Sequence, residues 1–299
     1  MRIQELEIRD CQAGRSVQDL LKNELLLSEG LISRLKRRPR GICLNGKKVY
    51  TTYRVQAGDR LSAEVGDGPD FPRPEPRAYP LEVLYEDEDF LLINKPAGLA
   101  VHASTRDSDE LTLENALAAY LPPDENPHPV SRLDRGTTGV MAWAKSGYAH
   151  ELLRRQQHSR DYYRIYRALA RGRVTPEAGT VDLPIGRPPE RGYCRMVLEN
   201  GAPARTDYRV LQATEEASYL ELRPQTGRTH QIRVHCQALG HPLVGDWLYG
   251  KEEPELILRP ALHAFRLCWR HPLTGKALVT EAPLPPDFNA LLSRFKLLP

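Results

Sequence analysis

The chain of 299 residues contains no CxxC pair; its five cysteines, Cys11, Cys43, Cys194, Cys236 and Cys268, stand apart from one another. An odd number of isolated thiols excludes a complete disulfide framework and offers no zinc-ligand spacing, so reduced thiols in a cytoplasmic protein are expected. His230 and His235 are five positions apart, off the i, i+4 spacing of a helical metal pair, and no metal site is expected. Nowhere do about 18 apolar residues run together, so no membrane span is expected. The opening MRIQELEIRD lacks the apolar core of a signal peptide. A glycine-rich phosphate loop, a fixed-period repeat and coiled-coil heptads are also missing, and a monomer is the expectation.

What is present begins with an uneven charge distribution. The net charge of +3 says little, but residues 1–65 hold 13 Lys and Arg against 8 Asp and Glu, a balance of +5, which leaves −2 for the other 234 positions. A basic excess confined to one end fits a polyanion-binding module. Residues 66–80, GDGPDFPRPEPRAYP, carry five prolines and two glycines. Such a stretch holds neither helix nor central strand and reads as a semi-rigid linker between a small module, 1–65, and a larger domain, 81–299.

In the small module Ser16 and Asp19 frame a helix start ahead of Leu20, Leu21 and Leu25. A second helix is expected from Ser28, with Leu31, Ile32 and Leu35 inward and Arg34, Arg37 and Arg38 outward. Short strands are expected around residues 44–46 and over 59–65. In the large domain residues 90–96, 140–145, 162–169 and 218–224 are candidate strands. Helices are expected around 146–158 and 229–239, with Gly240 at the end of the second. Strands and helices intersperse without a regular βαβ rhythm, so the fold class is α+β, strand-rich.

Four segments stand out in chain order: INKPAGLAVHAS (93–104), PVSRLDRGTTGVMAWAKS (129–146), RIYRALARG (164–172) and TGRTHQIRVHCQALGHPLVGDWLYG (226–250). In the second, a polar turn with one carboxylate, Asp134, between Arg132 and Arg135 leads straight into an apolar strand. An Asp salt-bridged at a strand entrance would explain the tripeptide alone. The ordered set resembles the pseudouridine synthases of the branch called the RluA family, over about residues 81–285. SEGLISRLKRRPRGICLNGKKV followed by YRVQAGDRL resembles, more loosely, the S4 RNA-binding domain. Many members of the family have His where this chain has Ser131.

The resemblance implies isomerisation of specific uridines in structured RNA to pseudouridine, with no cofactor. It makes Asp134 the catalytic carboxylate, either attacking C1′ or removing a sugar proton. Arg228 would pair with Asp134, Tyr166 would stack on the flipped uracil, and Arg132 would fill the space the base vacates. Alternation places Arg164 on the face of Tyr166, and Ile232 and Leu248 are candidates to line the uracil pocket. The basic cluster Arg34, Lys36, Arg37, Arg38 and Arg40 is expected to contact phosphates. The implied partner is ribosomal RNA of the large subunit, with tRNA as the alternative, and no membrane. Two other classes remain open: a catalytically idle RNA-binding or ribosome-assembly factor, and a hydrolase using a carboxylate pair. The hydrolase needs a second acid, for which Asp246 is the nearest candidate.

Overall fold

The computed structural model describes residues 2–67, 71–103, 109–157, 159–188 and 193–297. The small N-terminal unit is a four-stranded sheet backed by two helices. In chain order these are β1 (Ile3–Glu7), α1 (Val17–Asn23), α2 (Glu29–Arg37), β2 (Ile42–Leu44), β3 (Lys47–Lys48) and β4 (Arg60–Glu64), with strand order β1-β4-β2-β3. Both helices start at a serine whose side chain accepts from the third helical N–H, Ser16 from Asp19 at 3.2 Å and Ser28 from Leu31 at 3.3 Å. Residues 44–46 hold only the end of β2; Asn45 and Gly46, with φ of 50° and 76°, form the turn to β3. Residues with positive φ suit a tight hairpin better than a strand.

The large unit continues with β5 (Val83–Glu86), β6 (Phe90–Lys95), α3 (Leu113–Tyr120), β7 (His128–Pro129), β8 (Thr138–Ala144), α4 (Gly147–Gln156), β9 (Tyr162–Arg171), β10 (Ala178–Asp182), β11 (Ile185–Gly186), β12 (Met196–Val197), β13 (Arg205–Ala213), β14 (Ala217–Pro224), α5 (Gln231–Ala238), β15 (Leu262–Arg270), β16 (Ala277–Glu281) and α6 (Pro286–Arg294). One sheet runs β10-β13-β14-β9-β15-β8-β6-β5, with β16 on β15 and β7 on β8. The unbroken apolar runs of β6 and β8 are explained by burial on both faces. Leu91, Ile93, Met141 and Trp143 pack with Leu113 and Leu117 of α3, while Phe90, Leu92, Val140 and Ala142 pack with Ala149 and Leu153 of α4. This α+β sheet matches the expected class. The expected helix end His158, the end of the first motif at Ser104 and linker residues 68–70 lie outside the described residues.

Every neighbour pair along the large sheet is antiparallel except β15 with β8, which meet in parallel only at His263–Thr138 and Ala264–Gly139. Gly139 (φ 110°) makes this seam possible, since a Cβ there would lie 2.2 Å from the Ala264 carbonyl oxygen. Thr138 Oγ1 lies 2.8 Å from His263 Nδ1, whose other nitrogen meets the Ala282 carbonyl at 3.2 Å. Burial pushes the His263 imidazole down to about 4.

Residues 71–80 of the proline-rich segment form a strap laid on the large unit. The Arg73 guanidinium donates to the carbonyls of Ala118, Leu121, Pro122 and Glu125 at 2.5–2.9 Å, collecting the open carbonyl end of α3. Asp67 accepts from His128 at 2.7 Å and from the backbone N–H of Gly147 at 3.2 Å. The small unit is docked as well. Tyr148 and Leu152 of α4 complete its apolar cluster, the Tyr148 hydroxyl donates to Leu25 O at 3.1 Å, and Arg2 pairs with Asp89.

Candidate functional site

The seam sets the site. The loop 132–137 enters β8 at the place where β15 begins, and β9 crosses beside them, so Asp134, Leu262 and Tyr166 open into one pocket of about 650 Å³. That size suits a nucleotide-scale ligand. The loop is held from below by two buried cations. Lys95, fully buried at the end of β6, donates to the carbonyls of Pro96 at 2.8 Å, Arg135 at 3.0 Å and Thr137 at 3.2 Å. Burial draws its ammonium down to about 7, with the nearby Asp134 charge opposing that shift. Arg259 donates to Gly136 O at 3.3 Å and is itself held by two bonds to Asp287 at 2.8 and 2.9 Å. Three successive carbonyls of the Asp134 loop, those of residues 135–137, therefore end on fixed donors, and the carboxylate rides on a braced turn.

Asp134 is one-third exposed. The guanidinium beside it belongs to Arg233, with Nη1 4.0 Å from Oδ2, not to Arg228 as expected from the motif. Arg228 precedes α5 and turns outward, its Nε donating to Pro203 O at 3.0 Å, so it is a rim residue of the pocket. Arg233 lies one turn into α5, where side chains lean back toward the helix start and hence toward the pocket. Its other edge makes two bonds to the fully buried Asp246 at 2.7 and 2.8 Å. Asp246 also accepts from the backbone N–H groups of Leu248 and Tyr249, both at 3.2 Å. With its oxygens committed to these donors, Asp246 orients Arg233 and is unsuited to act as a second acid.

Tyr166 is buried and lines the pocket. Arg164, on the same strand face, donates to the hydroxyls of Tyr162 at 3.1 Å and Tyr166 at 3.4 Å and to Ser131 Oγ. The residue in the place of the family's usual histidine is therefore tied to the Tyr166 face of the pocket. Arg132 is exposed on the rim, and Ile232 lines the wall. Leu248 is the other correction: it packs with Ile185, Val234 and Tyr249 behind α5 and does not line the pocket. The fixed Asp246 turn points it away.

His230, which precedes α5, enters the pocket too, with Nε2 4.0 Å from Asp134 Oδ1 and Nδ1 2.7 Å from the Tyr249 hydroxyl. The sequence marks it only as one of two histidines off the spacing of a helical metal pair. His230 and Arg233 are i, i+3 neighbours, and that spacing is the signal that puts both at one carboxylate.

On the small unit, Arg34, Lys36, Arg37 and Arg40 are exposed along and just beyond α2. Arg38 differs from its expected role: its guanidinium donates to Gly66 O at 2.9 Å and Glu64 O at 3.4 Å, bracing the exit of β4. No helix among the described residues is long and apolar enough to cross a membrane.

Comparison with known proteins bears on the whole chain. The family model described as RNA pseudouridylate synthase matches residues 89–238. A relative from Nitrosomonas europaea, "Ribosomal large subunit pseudouridine synthase D", is 37% identical over 308 aligned positions, covering 99% of this chain and 88% of the relative. The RNA pseudouridine synthase YhcT of Bacillus subtilis is 36% identical, covering 96% and 95%. Among solved structures, human RNA pseudouridylate synthase domain containing 4 superposes with a TM-score of 0.60 at 27% identity, over 72% of this chain and 93% of that one. The braced carboxylate at the seam thus lies inside a segment shared with known synthases, and the chain belongs to the RNA pseudouridylate synthase family, enzymes that isomerise uridine in RNA.

Proposed function

We propose that Asp134 is the catalytic carboxylate and that the substrate is a uridine in large-subunit ribosomal RNA. The observation that carries the reading is the braced loop, which presents a single carboxylate beside Arg233 at the floor of the pocket. Isomerisation breaks the N1–C1′ bond and rejoins the ring through C5, with no net redox change. A carboxylate serves either as nucleophile at C1′ or as base toward the sugar. Arg233 takes the pairing role that sequence reading assigned to Arg228. Tyr166 supports the flipped uracil, with Arg164 holding its face and Ile232 closing the wall. Arg132, exposed on the rim, takes the space left in the RNA stack. Residues 1–65 act as an S4-like RNA grip, with Arg34, Lys36, Arg37 and Arg40 on phosphates, joined by residues 66–80 to the catalytic domain 81–299. The protein works as a cytoplasmic monomer. The ribosomal target is supported by the name of the Nitrosomonas europaea relative.

The test is tritium release from RNA carrying [5-³H]uridine, prepared from cells lacking the protein and separated into large-subunit rRNA and tRNA. Release from the rRNA by wild type and none by Asp134→Asn is expected. Release from tRNA alone overturns the target, and binding without release by either protein favours an assembly factor.

A further inference from the structure

His230 is a non-glycine residue in the left-handed region, at φ 59° and ψ 17°. A β-carbon is unwelcome there, and such residues persist only where the surroundings hold them. Capping does not explain the choice, because the side chain makes no hydrogen bond to the first turn of α5. What the conformation achieves is to turn the imidazole into the pocket, between the Tyr249 hydroxyl and Asp134.

Hydrogen bonding around the ring then favours one tautomer. The Tyr249 oxygen accepts from the backbone N–H of Arg195 at 2.9 Å and lies 2.7 Å from His230 Nδ1, so the arrangement that also uses the phenol proton has it donated to Nδ1. With Nδ1 accepting, a neutral ring carries its own proton on Nε2, the nitrogen that faces the carboxylate. Asp134 and Asp246 pull this ring toward imidazolium, while Arg233, Arg195 and above all burial oppose it, and the net direction is downward. The Nε2 to Oδ1 separation of 4.0 Å is too long for a hydrogen bond, so the N–H is not used up by the carboxylate.

We propose that His230 is a further catalytic residue, whose Nε2–H donates to a carbonyl oxygen of the detached uracil while Asp134 is engaged at the sugar. This rests on the reading of Asp134 as the catalytic carboxylate. When the N1–C1′ bond breaks, its electron pair stays on the base, and the resulting charge spreads over the ring nitrogen and both carbonyl oxygens. A fixed donor beside Asp134 stabilises that anion and holds it as it turns to present C5. The imidazole keeps its proton throughout. The C5 proton goes to another base and N1 recovers a proton at the end, so the step needs no co-reactant. Protonation of His230 would draw it onto Asp134 as an ion pair and withdraw the carboxylate, giving an acid limb to the rate.

The test compares wild type, His230→Asn, Tyr249→Phe and Asp134→Asn in tritium release at saturating RNA across pH 5–9, with RNA affinity and Tm measured alongside. Asn accepts the left-handed backbone, so His230→Asn is expected to keep its Tm and RNA affinity while kcat falls about 100-fold and the acid limb vanishes. Tyr249→Phe removes the donor to Nδ1, which favours the neutral ring less, and is expected to move the acid limb to higher pH. A wild-type kcat and pH profile in His230→Asn overturns the proposal. If that variant does not fold, an unmoved limb in Tyr249→Phe overturns it. Turnover by Asp134→Asn would instead defeat the reading of Asp134, and an inactive Asp134→Asn beside a fully active His230→Asn would defeat only this one.

Discussion

The two basic regions of this protein use the same residue types in opposite ways. Along α2, Arg34, Lys36 and Arg37 stand in solvent on one face of an amphipathic helix, and Arg40 follows just beyond it. Around the pocket, Lys95, Arg233 and Arg259 are buried, and each spends its hydrogens on a particular carbonyl or carboxylate. Exposed cations act through a screened field and are nearly interchangeable. Buried ones act through geometry, and loss of one strands its partner. The first set should govern how tightly RNA is held, and the second whether a held uridine reacts.

The sharpest way to break this contrast is at the seam that supports the buried set. Gly139→Ala forces a Cβ against the Ala264 carbonyl at a positive φ, and a loss of about 3 kcal/mol or more is expected. Thermal unfolding should then shift down by roughly 5 °C, and tritium release should fall with it. An unshifted Tm would remove the seam from the account of the site.

Arg233→Met comes next. It leaves Asp246 buried without its cation and Asp134 without its neighbour. The expected result is a fall in kcat of about 10²- to 10³-fold at saturating RNA, with RNA affinity within a few-fold of wild type. Arg228→Met, at the rim, should change kcat far less; the reverse ranking would restore the assignment made from the motif.

The α2 face should give the complementary signature. Changing Arg34, Lys36, Arg37 and Arg40 together to Gln should raise Kd for RNA by about tenfold or more near physiological salt. It should also lower the log–log salt slope by roughly 3, with saturated kcat nearly unchanged. A fall in kcat with an unchanged salt slope would erase the distinction. Arg38→Gln should instead act on stability, because its guanidinium holds the carbonyls of Glu64 and Gly66.

The smallest effect at neutral pH belongs to His263. Its folded value of about 4 lies below the ordinary histidine value. The folded state therefore binds fewer protons between those values, and stability is fully present above about pH 6.5 and declines as pH falls toward 4. The wild type should lose on the order of 3 kcal/mol over that window through this group. In denaturant titrations His263→Gln should show a flatter acid dependence.

How much of this was legible depended on whether a residue's role was local. The caps at Ser16 and Ser28 and the apolar runs of β6 and β8 follow from spacing within a few residues, and each element formed where the pattern put it. β1, β13 and β15 were not anticipated. Their mixed composition becomes strand only through pairing with partners far along the chain. At the pocket, Asp134 was legible because its motif is contiguous. Arg233 and His230 stood in an equally visible motif but were not singled out, since choosing among Arg228, His230 and Arg233 requires knowing where α5 begins and which way it leans. Leu248 went astray for the same reason: the Asp246 turn, held by Arg233, rotates it toward Val234.

The sequence by itself determined the family of the chemistry, the α+β class, the basic N-terminal end and the position of the proposed catalytic carboxylate, because these depend on residue type and short spacing. Only the tertiary structure decided which guanidinium meets Asp134, which cations brace its loop, and that the strap and Tyr148 dock the small unit against α4. Those contacts join residues tens to over a hundred positions apart. They are selected by burial, where an unpaired charge or carbonyl is too costly to leave, and not by any preference a short stretch of sequence carries.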